Sequence, residues 1–208
     1  MAFPDYFSRV PGITLYDPLA EVLGAASDGL IEYHFADAVK LCGHACPTVA
    51  GSWLLGVSAL RALYGEAIPR RGEIDVALAE AEDSGVAGVM ASVLGLLTGA
   101  AGYGGFKGLA GQFQRQQRLR FAVSGVSGIR LTRRDTGRSV DCTLDLGKVP
   151  GDPRCGPLLG AILAGKASDD ERSLFAELWQ QRVERILLDT QNHPEMLTLT
   201  PGQALENR

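Results

Sequence analysis

The chain has 208 residues, 46% of them hydrophobic, with 20 Lys+Arg against 24 Asp+Glu for a net charge of −4. That length buries a sizeable core as one domain plus an appendage, and so mild an acidity carries no bulk charge that would call for a nucleic acid or an anionic membrane as partner. Met1 to Tyr6 lacks a basic stretch followed by an apolar one, so a cytoplasmic setting is expected, where the four cysteines read as free thiols or metal ligands before disulfides.

Asp17-Pro18 opens a short helix that reaches Ala26, and Asp28-Gly29 closes it. Ile31, Tyr33 and Phe35 alternate with Glu32, His34 and Ala36, which predicts a short strand followed by a helical turn through Asp37, Val39 and Leu41. Pro47 sits at the first position of a helix running to Tyr64, whose apolar stripe is Val49, Trp53, Leu54, Val57, Leu60 and Leu63. A strand follows from Glu73 to Ala79, bounded by Gly72 on one side and by Glu82 to Gly85 on the other.

Ser84 to Phe106 carries no charge, a stretch comparable with the roughly 20 residues of a spanning helix. Its many glycines dilute that hydrophobicity, so the reading is a buried helix from Val86 to Thr98 and then a glycine-rich loop, with no membrane span. Gly88 and Gly95 would let another backbone approach that helix. Strands are predicted at Arg118 to Ser124, Gly128 to Arg133 and Ser139 to Leu144, the last two joined by a hairpin turn at Arg134 to Arg138. The fold class is therefore α+β, a mostly antiparallel sheet packed with a buried glycine-rich helix and followed by a C-terminal helical appendage.

Residues 1–148 form the core in this reading, and residues 149–208 form a linker and a C-terminal helical extension. Val149 to Pro153 is the linker, and a short apolar helix lies near Leu158 to Ala164. Ser168 and Glu171 make a capping box that starts a helix ending near Leu188. Leu174, Phe175, Leu178, Trp179, Val183, Ile186 and Leu187 are its apolar stripe, which has to dock on the core or on a second subunit. His193-Pro194 falls in an irregular tail.

The chemistry concentrates in Cys42-Gly43-His44-Ala45-Cys46-Pro47. Even offsets place Cys42, His44 and Cys46 on one side of an extended segment, and Cys46 at a helix N-cap is pushed toward thiolate, the form that binds metal. His44 and Cys46 are the core of the candidate site, with Cys42 as an optional third ligand. A structural zinc needs four protein ligands and a catalytic one three plus water, so His193, His34, an acidic side chain or a second subunit would supply the rest. Cys142 lies on the apolar face of a strand and reads as core; Cys155, in a Cys-Gly-Pro loop, reads as a remote thiol.

Asp37, Asp83 and Lys107 are the candidates for proton transfer or for holding a small anionic ligand. Each has a plainer reading as a solvated charge, and the glycine loop around Lys107 follows a helix, so a Walker-type phosphate loop is ruled out. The arginine-rich stretch from Gln112 to Arg138 reads as the solvent face of an amphipathic strand, with Arg118 and Arg120 pointing outward. Nucleic-acid binding is not expected.

The Cys42 to Pro47 stretch resembles the FmdE-like family, named for a component of formylmethanofuran dehydrogenase, whose signature is H-G-H-x-C-P-G. Gly43, His44, Cys46 and Pro47 match it, while Cys42 stands at the first His and Thr48 at the last Gly. The resemblance runs from about Leu30 to Val140 and is strongest to a branch with G-H-x-C-P-T-V-A-G, R-G-E-I and T-G-A-x-x-x-G-G-F-K-G, present as Gly43 to Gly51, Arg71 to Ile74 and Thr98 to Gly108. It implies an α+β core, an intertwined homodimer and a divalent metal, usually zinc, at the motif. Where family members have N-D-x-C-x-x-D after the central strand, Glu82, Asp83, Gly85 and Gly88 stand here, and the paired C-x-x-C of a C-terminal zinc finger is lacking. The function implied is a metal-binding homodimeric accessory protein in redox or C1 metabolism. The alternative is a metal-dependent or thiol-assisted enzyme acting on a small anionic substrate.

Overall fold

A computed structural model describes residues 3–202 of the chain. Strand β1 (Ile13–Tyr16) pairs antiparallel with β2 (Leu30–Tyr33) as a small separate sheet. Between them α1 (Pro18–Val22) starts where the Asp17 carboxylate accepts the amides of Leu19 and Ala20. It ends short of the expected Ala26, because Val22 and Leu23 are exposed and a further turn would have nothing to pack against.

Beyond Tyr33 the chain forms a full helix, α2 (Phe35–Cys42), in place of a single helical turn. The alternation of Ile31, Tyr33 and Phe35 hides a second periodicity, Phe35, Ala38 and Val39, which is the face α2 buries. Asp37 fixes the start by accepting the His34 amide at 2.9 Å. Helix α3 (Pro47–Tyr64) then crosses the core with Val49, Trp53, Leu55 and Leu60 at 2% exposure or less. Leu55 is thus a core residue that the stripe missed, and Leu54 is only partly buried, since α3 is covered on several sides.

The main sheet comprises β3 (Ile74–Leu78), β4 (Leu119–Arg120), β5 (Ile129–Arg133), β6 (Ser139–Leu144) and β7 (Leu197–Pro201). Its order is β4-β3-β5-β6-β7, with only the β3–β4 pair parallel, so the mostly antiparallel α+β fold is observed. The glycine-rich helix is α4 (Ala87–Thr98), which packs on α3. Its Gly88 and Gly95 do admit backbone: a Cβ there would lie 3.2 Å from the Glu82 carbonyl oxygen and 3.0 Å from that of Ala100. The α3 to α4 approach depends on Gly56, where a Cβ would meet Leu97 at 2.6 Å. No helix among the described residues is long and apolar enough to cross a membrane.

Two strand expectations need correction. The strand expected at Arg118 to Ser124 keeps only Leu119–Arg120 in the ladder, because Gln117 and Ala122 on either side take left-handed φ values of 60° and 53°. Arg118 does not face solvent: it is buried, and its guanidinium lies 3.5 Å from Asp75. The expected irregular tail instead supplies the edge strand β7, with Leu199 opposite Cys142 of β6.

The remaining helices are α5 (Cys155–Leu163), which begins earlier than expected and takes in the Cys-Gly-Pro segment, and α6 (Asp169–Leu188). The Ser168 and Glu171 capping box is present, with reciprocal hydrogen bonds of 3.2 and 2.8 Å. Leu178, Val183, Ile186 and Leu187 are the buried face of α6, which docks on α3. Val149, Val183, Ile186, Leu187 and Met196 join the same hydrophobic core as α3 and the sheet.

A buried ion cluster ties the first strand pair to the glycine loop. Asp17 accepts from Arg71 at 2.8 Å and from Arg115 at 2.7 Å. The Arg115 guanidinium occupies the space over Gly72 and Gly99, where a Cβ would come within 1.7 and 2.5 Å of its Nη1. Burial opposes the charge on Asp17, but the two arginines outweigh it and hold the carboxyl below its usual range.

Candidate metal centre

The motif is a loop between two helix ends. Helix α2 stops at Cys42 because Gly43 takes a left-handed φ of 76° and returns its amide to the Val39 carbonyl at 2.8 Å. His44 Nδ1 sits 2.9 Å from the Cys42 carbonyl oxygen, so Nδ1 carries the proton, and the exposed ring turns its Nε2 lone pair away from that bond. Cys46 is the N-cap of α3, its Sγ accepting the Val49 amide at 3.4 Å. Cys42 and Cys46 are both half-buried against the core. Burial, and then the charge of Cys46, push the Cys42 thiol up, so a negative charge on Cys46 disfavours one on Cys42. A cation bound between them would reverse that sign.

Helix α6 covers the loop. Trp179 Nε1 and Gln180 Nε2 both donate to the Ala45 carbonyl, at 3.0 and 3.4 Å, and Gln180 Oε1 accepts the Tyr6 hydroxyl at 2.7 Å. Phe175 packs on the Trp179 ring with centroids 5.5 Å apart. Membership of an apolar stripe gives Trp179 only a packing role; an indole N–H on a docking helix also needs an acceptor, and that requirement is the signal for its second role.

The other candidates do not gather at the loop. Asp37 is committed to the start of α2 and to Lys40 at 3.0 Å; burial opposes its charge, yet the His34 amide and Lys40 hold it below the ordinary carboxylate range. Asp83 is exposed in the turn before α4, and Lys107 is exposed in the glycine loop. His34 Nε2 lies 3.4 Å from Glu32, and His193 Nε2 lies 3.8 Å from Asp189. From Trp179, which touches the motif, α6 continues for about 14 Å along its axis before the chain turns toward His193. Cys155 is half-buried in the first turn of α5. Among the described residues, no three His, Cys, Asp or Glu side chains converge as a ligand set.

Cys142 is fully buried, and burial pushes its thiol up to about 12. It is a core residue, as expected. In the folded protein treated with a chelator at mildly alkaline pH, iodoacetamide is expected to alkylate Cys42, Cys46 and Cys155 and to spare Cys142, which reacts only after unfolding. Peptide mass mapping reads this directly, and early modification of Cys142 would contradict its placement.

No family model matches the chain, and no curated protein matches it. Solved structures similar to it include the crystal structure of a tungsten formylmethanofuran dehydrogenase FmdE-like protein from Syntrophus aciditrophicus. That likeness has a TM-score of 0.44 at 17% sequence identity and covers 84% of this chain and 74% of the other.

Proposed function

We propose that the chain is a zinc-type, divalent-metal-binding protein that acts as a homodimer, with Cys42, His44 and Cys46 as ligands that the loop would have to draw together around the metal, since the three do not converge as placed. The observation that carries this reading is the loop itself: two half-buried thiols, one of them at the N-cap of α3 where it accepts the Val49 amide, beside an exposed imidazole with no partner at Nε2 among the described residues. Zinc takes four ligands, so one chain leaves the coordination open, and a second subunit or a small anionic ligand would complete it. Zinc held there would supply a structural tie or a Lewis acid.

An accessory role in redox or C1 metabolism, as the motif's resemblance implies, is preferred to a self-contained enzyme. Asp37 already serves a helix start and a lysine, and Asp83 and Lys107 sit on exposed loops. No general acid or base among the described residues is therefore poised over the thiols. Elemental analysis of the purified protein is expected to find zinc in stoichiometric amount, strongly reduced in Cys42→Ser, His44→Ala and Cys46→Ser. Unchanged zinc in all three variants would overturn the assignment. His193→Ala separates two versions of the site, since loss of zinc there would bring in the tail of a second subunit.

A further inference from the structure

The outer face of α4 is not covered by the rest of the described fold. An open groove of about 920 Å³ runs along it, and none of the lining residues belongs to the Cys/His loop. Ala91, Ser92 and Gly95 form a flat floor, with side chains too small to fill the space. Leu119 of β4 and Phe121 just beyond it line one wall. The other wall carries Tyr103, 87% exposed and held between Gly102 and Gly104.

The rim is charged and exposed. Arg120 and Glu82 both line the groove, and neither side chain makes a hydrogen bond or ion pair among the described residues. Leu119 and Arg120 of this wall pair with β3, and Phe121 follows just before the left-handed Ala122. The volume falls in the range of small-molecule sites, about 300–1,000 Å³. Aromatic walls over a flat floor suit a planar ring, and a free guanidinium at the rim suits an anionic group attached to it.

We propose that this groove binds a planar aromatic anion of about nucleotide size, stacked between Tyr103 and Phe121 with its charge on Arg120. The site is independent of the metal reading, and zinc-free protein binds equally well.

Anilinonaphthalene sulfonate has this chemistry and reports binding by fluorescence. Titration of the full chain is expected to saturate in the micromolar range. Ser92→Phe, which fills the floor, and Arg120→Glu, which reverses the rim charge, should each weaken binding roughly tenfold or more. Leu163→Glu, on the exposed apolar residue of α5, should leave it unchanged. Both groove positions are exposed, and circular dichroism checks each fold; if Ser92→Phe does not fold, Arg120→Glu decides. Equal binding in the groove variants, or loss in Leu163→Glu, would overturn the proposal. So would conversion of a dimer to monomers by Ser92→Phe, because the groove would then be an interface between copies.

Discussion

Replacing Asp17 by alanine is expected to destabilise the fold by about 3–5 kcal/mol, the cost of leaving a buried charge without its partner. Arg115 is 7% exposed and depends on Asp17 for its one ion pair among the described residues, and Arg71 shares the same carboxylate. The same substitution removes the cap of α1, a further loss of about 1 kcal/mol. Asp17→Asn keeps the capping oxygen and loses the charge, so it should fall between wild type and alanine. Asp135→Ala, which breaks the more exposed pair with Arg133, should cost less than about 1 kcal/mol. Urea unfolding followed by circular dichroism measures all three.

The pH dependence follows from the same cluster. The folded carboxyl of Asp17 is depressed, so its contribution is fully present above the unfolded carboxylate pKa and is lost as pH falls through the lower folded value. Wild type should therefore lose stability on acidification more steeply than Asp17→Asn, which has no proton to take up there. Parallel acid profiles would contradict the buried ion pair.

Trp179→Ala is expected to cost about 2–3 kcal/mol in stability, combining a lost hydrogen bond with a lost aromatic pair. It should also weaken zinc binding about tenfold, as the loss of a group that orients a ligand loop does. The indole holds the carbonyl of Ala45, between His44 and Cys46, and its ring rests on Phe175. Trp179→Phe keeps a smaller aromatic ring but loses the N–H and the fused five-membered ring, so it should fall between wild type and alanine; Gln180 donates to the same carbonyl and offsets part of the change. Zinc affinity measured against a chromophoric chelator tests the link between α6 and the loop. Unchanged affinity in Trp179→Ala would leave α6 a purely structural cover.

What could be read from the residues was what local chemistry decides. Pro47 and Cys46 start α3, Ser168 and Glu171 start α6, and the alternation from Ile74 to Leu78 makes β3, each through neighbours within one turn or strand. Residues joined across the fold were not legible. Asp17 and Arg115 are separated by 98 positions, and no spacing rule connects a capping aspartate to a distant arginine. The outward reading of Arg118 failed for a similar reason, because its partner Asp75 lies on another strand. Strand β7 carries the alternation of Leu197 and Leu199, but its place is set by β6, far back in the chain. Gln117 and Ala122 cut β4 short with left-handed backbone that non-glycine residues rarely signal.

The candidate site divides in the same way. The N-cap at Cys46 and the two thiols were visible in six residues, whereas the helix end at Gly43 emerged only with α2. The clamp from Trp179 and Gln180 and the outward imidazole needed the docking of α6 and the Cys42 carbonyl.

X-ray absorption at the zinc edge of the metal-loaded full chain tests the central claim most directly. The account predicts two sulfur scatterers at about 2.3 Å and at least one imidazole nitrogen at about 2.0 Å, with a sulfur lost in Cys46→Ser. A zinc shell of oxygen and nitrogen alone, the same in both proteins, would contradict it.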